Sequence, residues 1–281
     1  MTSVEERAAR PHRSSFATIL SAHARSALPS RRAGRALSSA ALWLALATAG
    51  TPGISGCIGV SQKKVTPGIV GGRATDLRVC RAGTRPAEDG NLDDFEDDNN
   101  QVTLEGGRDG YWWTKKDEKG STVEPDPFAP SEGGADGSEM SLRGFGKTSA
   151  APDAWGAGFG VNLVSNKGAF YDASRYAGIS FKAKAGPGST TTVRFKIGDV
   201  NTHQDAHVCL ACWNHFGKDI TLTNQWKEYK VLFTEARQEP YWGDPRPAAV
   251  TPSKLVSIDW SIGTGQSFDI WVDDIRFLEC Q

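Results

Sequence analysis

The sequence holds no apolar run long enough to cross a bilayer as a helix. Its longest apolar stretch runs from Ala36 to Ala47, well short of the roughly 20 residues a spanning helix needs. It shows no window with a clean helical period, which argues against a helix bundle. It lacks a basic excess. The net charge is −1, and this sum hides a split: residues 1–56 carry seven Arg against two Glu, or +5, which leaves −6 for the remainder. A mildly acidic mature chain does not offer the basic footprint that nucleic-acid binding requires. There is no internal repeat. No G-x-S-x-G turn is present, which removes the usual setting of a serine nucleophile. No stretch sets apart the opposed carboxylate pair of a glycosidase.

What is present is rich in turns and rings. There are 31 Gly, 14 Pro, nine Trp and twelve Phe, a balance that favours many short strands over helices. Ile179, Phe181, Ala183 and Ala185 alternate with Ser180, Lys182 and Lys184. Val193, Phe195 and Ile197 alternate with Arg194 and Lys196. Tyr229, Val231 and Phe233 repeat the pattern. A two-residue period of this kind marks a half-buried strand. Further strands are expected at 138–145, 154–164, 255–262 and 268–278, about ten in all, with loops at 114–137 and 234–254. In the last strand Phe268, Ile270 and Val272 share one face, and a one-residue bulge at Asp273-Asp274 would bring Ile275 and Phe277 to the same side. The expected fold is all-β, a single jelly-roll β-sandwich.

The N-terminal segment reads as an address. Arg31, Arg32 and Arg35 precede the apolar run and small residues follow it, the order of a signal peptide. Ile54-Ser55-Gly56-Cys57 resembles the lipobox of bacterial lipoproteins, which implies export and a lipid on Cys57. Some 35 residues precede the apolar run, more than such signals usually carry, which suggests an over-long start. The expected organisation is a signal peptide over 1–56, a flexible tether over 57–90 and the sandwich over 91–281. The resemblance places the chain in the bacterial cell envelope, at the outer membrane or cell surface, held to the membrane through Cys57.

Four stretches carry a second resemblance. They are Leu92-Asp93-Asp94-Phe95-Glu96-Asp97, Tyr171-Asp172-Ala173-Ser174-Arg175-Tyr176-Ala177-Gly178-Ile179-Ser180-Phe181, Thr223-Asn224-Gln225-Trp226-Lys227 and Phe268-Asp269-Ile270-Trp271-Val272-Asp273-Asp274-Ile275. In this order and spacing they resemble the galactose-binding-like jelly rolls, and within that group the carbohydrate-binding modules of family eleven. The resemblance implies a non-catalytic module with a glycan on a concave sheet face and a structural calcium near the chain ends. Asp94, Glu96 and Asp274 are the expected calcium ligands, since calcium takes six to eight oxygens.

His203, His207, Cys209, Cys212 and His215 are spaced like a zinc site. Export argues for oxidation instead. With Cys57 lipidated, four cysteines allow three pairings; Cys80 with Cys280 and Cys209 with Cys212 is the one expected, with zinc as the alternative. A glycan site needs exposed rings beside planar polar groups. Tyr241 and Trp242 stand in a Pro- and Gly-rich loop near Arg237 and Gln238, either for a ligand or for packing. Trp213 and His215 follow the CxxC loop. Trp155 sits among small residues, and Asp199 ends a strand where it would accept sugar hydroxyls. Trp260 is expected in the core, as is at least one ring of Tyr111-Trp112-Trp113. The leading reading is a surface-tethered lipoprotein that binds a polysaccharide without cleaving it. The rivals are a structural or protein-interaction domain of the envelope with its rings buried, and a carbohydrate-active hydrolase.

Overall fold

A computed structural model describes residues 76–281. The expected signal peptide, Cys57 and most of the expected tether lie outside the described residues. Two antiparallel sheets pack face to face as a jelly-roll sandwich. The first sheet has the order β3-β4-β11-β6-β9, with β1 also paired to β11. Its members are β1 (Thr84–Asp93), β3 (Ser131–Glu132), β4 (Met140–Lys147), β6 (Gly178–Ala185), β9 (Lys227–Leu232) and β11 (Ser267–Cys280). The second has the order β2-β5-β10-β7-β8. It comprises β2 (Trp112–Lys116), β5 (Ala157–Asn162), β7 (Thr192–Asp199), β8 (Phe216–Thr221) and β10 (Leu255–Ile262).

The alternation read from the sequence is the alternation that buries. Ile179, Phe181, Ala183, Val193, Phe195 and Ile197 all face the space between the sheets. Trp260 and Trp112 are buried there too. Trp260 meets Phe159, Phe195, Phe181 and Trp112 at centroid distances of 5.9, 5.1, 5.1 and 6.2 Å. Each such ring contributes on the order of 2 kcal/mol by leaving water, plus a smaller increment from offset or edge geometry. Trp112 Nε1 donates to Asp93 Oδ2 at 2.6 Å, a bond between β2 of one sheet and β1 of the other.

The bulge in β11 is present. Its register against β6 shifts between Asp273 and Arg276, and Phe268, Ile270, Val272, Ile275 and Phe277 are all buried. The bulge divides β11 into two halves. The first half pairs with β4 and the second with β1, so two strands share one edge end to end.

Two expectations need correction. The sandwich begins at Thr84, not Asn91, because β1 runs along β11 from Thr84 opposite Cys280. Its buried apolar side chains are only two, Ala87 and Leu92, and the register slips twice. No sustained period therefore marks it. There are also eleven strands rather than about ten, because β3 is a two-residue bridge inside the expected 114–137 loop.

Both expected disulfides are formed, Cys80 with Cys280 and Cys209 with Cys212. The first closes a separation of 200 residues. In the loop-entropy model that is worth roughly 3–5 kcal/mol.

Candidate functional site

The outward face of the second sheet carries polar and aromatic side chains in rows that cross all five strands. In one row Trp113 of β2 lies opposite Gly160 of β5, Gly160 opposite Asp259 of β10, Asp259 opposite Lys196 of β7, and Lys196 opposite Gly217 of β8. The next row runs Lys115, Gly158, Ser261, Arg194 and Asp219. A third contains Asn162, Ser257 and Gly198. Four inter-strand spacings make each full row about 19 Å long.

Glycine sets the depth of this face. A Cβ at Gly160 would come within 2.5 Å of Asp259 Cβ and 2.7 Å of Trp113 Cη2. A side chain there would displace both neighbours, so the residue keeps the floor of the row low beside the Trp113 ring. Trp113 Nε1 donates to Asn162 Oδ1 at 3.2 Å, which holds the indole over the sheet.

Asp259 is the centre. Its Oδ1 accepts from Lys115 Nζ at 2.6 Å and from Ser261 Oγ at 2.7 Å. Its Oδ2 is buried with no hydrogen-bond partner. Burial alone would raise this carboxyl, but the ammonium groups of Lys115 and Lys196 outweigh it and hold it at about 2. Asp259 is therefore a fixed anion with one free acceptor. Lys196 is half-buried and makes no hydrogen bond or ion pair among the described residues; burial lowers its pKa, against the attraction of Asp259.

At the β8 end the face opens into a cleft of about 530 Å³. It is lined by Arg194, Asp219, Arg237, Gln238, Glu239 and Trp242, among others. Arg194 donates from Nη1 to Asp219 Oδ1 at 2.9 Å and from Nη2 to the Arg237 carbonyl at 2.7 Å. Its Nε is buried with no hydrogen-bond partner. Arg237 donates only to the carbonyls of Thr234 and Ala236. Trp242 Nε1 donates to Glu239 Oε2 at 3.1 Å, so this ring too is held in place.

The expected site residues divide. Arg237, Gln238 and Trp242 line the cleft. Gln238 braces it by donating from Nε2 to the carbonyls of Asn214 and Pro245. Tyr241 is 95% exposed, and Trp155, Trp213 and Trp242 are 52, 49 and 42% exposed. Trp213 stands edge-on to His203 and His215 at 5.0 and 5.8 Å.

Two expected ligand residues are interior instead. Asp199 is fully buried and accepts from the backbone N–H of Asn201 and Thr251, from Asn201 Nδ2 and from the Thr202 hydroxyl. With those four bonds it organises the turn after β7 and has no access to a sugar. Burial raises its pKa against those hydrogen bonds. His215 is also buried, its Nδ1 2.8 Å from Thr202 Oγ1, and burial pushes its pKa down to about 3. It is a neutral packing group beside Gly198.

The expected calcium ligands have other partners. Glu96 accepts from the Ser138 hydroxyl and from the backbone N–H of Glu139 and Met140. Asp94 accepts from Asn91 Nδ2. Lys182 Nζ lies 2.6 Å from both Asp136 and Asp274, so an ammonium sits between those carboxylates where a metal would otherwise balance them. Among the described residues no three His, Cys, Asp or Glu side chains gather as a metal site. Asp94, Glu96 and Asp274 are not brought together as one oxygen cluster among the described residues.

Trp113, Lys115, Arg194, Lys196, Asp219, Glu239 and Asp259 were not singled out from the sequence as site residues. The signal available was the polar half of the β7 alternation, Arg194 and Lys196. It became a site only when pairing laid those residues beside Asp259 and Gly217.

No family model matches the chain, and no curated protein does. The chain is similar in structure to solved carbohydrate-binding modules. A family 11 module from Clostridium thermocellum, in complex with a β-1,3-1,4-mixed-linked tetrasaccharide, is 19% identical, covering 60% of this chain and 89% of that one, with a TM-score of 0.46. The family 11 module of a cellulosomal cellulase of the same organism is 18% identical, covering 70% and 94%, with a TM-score of 0.47. A family 30 module of another cellulosomal cellulase of Clostridium thermocellum is 14% identical, covering 60% and 91%, with a TM-score of 0.43.

Proposed function

We propose that this chain is a non-catalytic carbohydrate-binding protein whose ligand lies across the outward face of the second sheet. The observation that carries the reading is the row from Trp113 through Asp259 and Lys196 to the Trp242 cleft. Rings stand at both ends to stack on the flat C–H faces of sugars. Between them stand the ammonium of Lys196 and, in the cleft, the guanidinium of Arg237, donors for sugar hydroxyls.

The absence of cleavage is part of the proposal. A glycosidase needs one carboxyl kept protonated as an acid. Asp259 is held ionised. The acids whose pKa burial raises, Asp93, Asp199 and Asp273, each accept hydrogen bonds from protein donors away from the rows. The rival reading of an envelope domain without a sugar ligand expects its rings to be packed away, and Trp155, Trp213 and Trp242 are open to solvent.

The protein is exported and anchored in the bacterial cell envelope through lipid on Cys57. Two disulfides among the described residues support an oxidising destination. The anchor is tested by mass spectrometry of the mature N-terminus, with unmodified Cys57 counting against it. The binding is tested by affinity electrophoresis of the purified full chain through gels cast with single polysaccharides. Retardation by at least one supports the reading; none, with a cooperative melt intact, refutes it.

A further inference from the structure

The charges of the same face point to the class of glycan, and the inference rests on the reading just given. Each carboxylate around the rows already meets at least one donor. Asp259 Oδ1 holds Lys115 and Ser261. Asp219 holds Arg194. Glu239 holds the Trp242 indole and lies 4.0 Å from Arg194 Nε. Glu235 holds Lys218 at 2.7 Å. The cations are not all engaged. Lys196 has no hydrogen bond or ion pair among the described residues. Arg194 is balanced by Asp219 and, more loosely, by Glu239. Arg237 serves only carbonyls and so keeps an unbalanced positive charge.

These three belong to one place. Arg194 and Lys196 are alternate residues of β7 and share its outward face. Arg194 and Arg237 line the same cleft, and Arg194 reaches across it to the Arg237 carbonyl. A hydroxyl oxygen would accept from Lys196 and Arg237 but would not balance the charge of Arg237. An anionic oxygen satisfies both, and a hydrogen bond with ionised partners is roughly twice as strong as a neutral one. Lys196 and Arg194 are partly withdrawn from water, which strengthens the attraction further.

We propose that the face selects an acidic polysaccharide, one whose sugars bear carboxylate or sulfate groups, and that Lys196 and Arg237, beside Arg194, receive the anionic substituent. The stacking rings take the sugar ring, so the ligand is a charged glycan and not a bare anion.

The test compares mobility of the full chain in gels containing a neutral β-glucan, a polyuronate, a sulfated polysaccharide or polyglutamate. At least one anionic glycan is expected to bind about tenfold more tightly than the neutral one, with the preference shrinking as salt rises from about 20 to about 300 mM. Retention by the polyuronate alone or by the sulfated polymer alone supports the proposal and identifies the substituent. Lys196→Met should lower the anionic-over-neutral preference about tenfold, and Arg237→Gln serves as the second variant if Lys196→Met unfolds. Lys230→Met removes the same charge from a residue paired with Glu228 away from the face, and should leave the preference intact. Equal or tighter binding to the neutral glucan overturns the acidic-ligand inference and leaves the carbohydrate reading standing. Equal binding to polyglutamate, or an equal effect of Lys230→Met, also overturns it. No binding to any polymer by a folded chain removes both.

Discussion

The outward faces of the two sheets use the same residue types to opposite ends. On the first sheet, Arg143 lies opposite Trp271 and Trp271 opposite Lys184. Arg143 sits over the rings of Phe145 and Trp271 at 4.8 and 4.7 Å, and Lys184 over Trp271 and Trp226 at 4.7 and 4.5 Å. Arg143 also makes two hydrogen bonds to Asp269, at 2.8 and 2.9 Å. This ladder is complete: each ring meets a cation, and Arg143, Lys184 and Asp269 leave no buried atom without a partner. On the second sheet Lys115 lies over Trp113 at 5.4 Å, yet Lys196 and Arg237 make no ion pair among the described residues. Aromatic and charged residues on a sheet do not by themselves make a site. The proposed binding face differs from the ladder in the cations it leaves without an ion pair.

The sharpest way to break this contrast is to change one acid on each face. Asp259→Asn removes the buried anion between Lys115 and Lys196 and should cost about 3 kcal/mol in a urea melt, since it strands buried positive charge. It should also abolish most glycan binding. Asp269→Asn, on a pair that is more open to water, should cost no more than about 1 kcal/mol and leave binding unchanged. Equal effects on binding would end the distinction.

Next in size is the ring pair. Trp113→Ala combined with Trp242→Ala should weaken binding about a hundredfold, at about 1–1.5 kcal/mol per stacked ring. Trp271→Ala should leave binding intact and lower the melting temperature. Affinity electrophoresis and calorimetric melting read the two outcomes separately.

A smaller effect concerns the core that both faces share. Burial raises Asp93 to about 7 and Asp273 to about 6. An acid with a raised pKa in the folded state binds its proton more tightly there than when unfolded. Its contribution is complete below about 4 and is lost as pH rises through 6 to 7. Lowering the pH from about 7 to about 5.5 should therefore add about 2 kcal/mol through Asp93. Asp93→Asn should remove most of that gain. Asp259 titrates near 2, so glycan binding should stay flat over the same window. A binding curve that follows the stability curve would show that the face and the core are coupled.

Much of the fold was legible because its signals are local. The alternation in β6, β7 and β9 survives intact, and β10 spans the expected 255–262. Counting faces along 268–278 was enough to place the β11 bulge. The disulfides followed from where the cysteines stand relative to the domain ends. β1 escaped notice because it is held mainly by backbone pairing to β11 and buries only two apolar side chains, Ala87 and Leu92. The site was half legible. A loop rich in Gly and Pro with two rings and an Arg does form the cleft wall. The rows were not legible, since residues 113, 160, 259, 196 and 217 become neighbours only through strand register. Asp199 and His215 misled for the opposite reason: residue type suggested chemistry, while four donors around the first and full burial of the second made them structural.

The Cys80–Cys280 bond has a mechanical consequence. A pull on the backbone from the N-terminal side of the sandwich reaches Cys80 before it reaches β1. The covalent link passes the load straight to the end of β11, the strand paired with β1, β4 and β6. β1 is thereby taken out of the line of force and cannot be peeled from the sheet edge one hydrogen bond at a time. A domain gripping its ligand by the opposite sheet would then carry tension through its interior strand, where rupture requires many bonds to fail together.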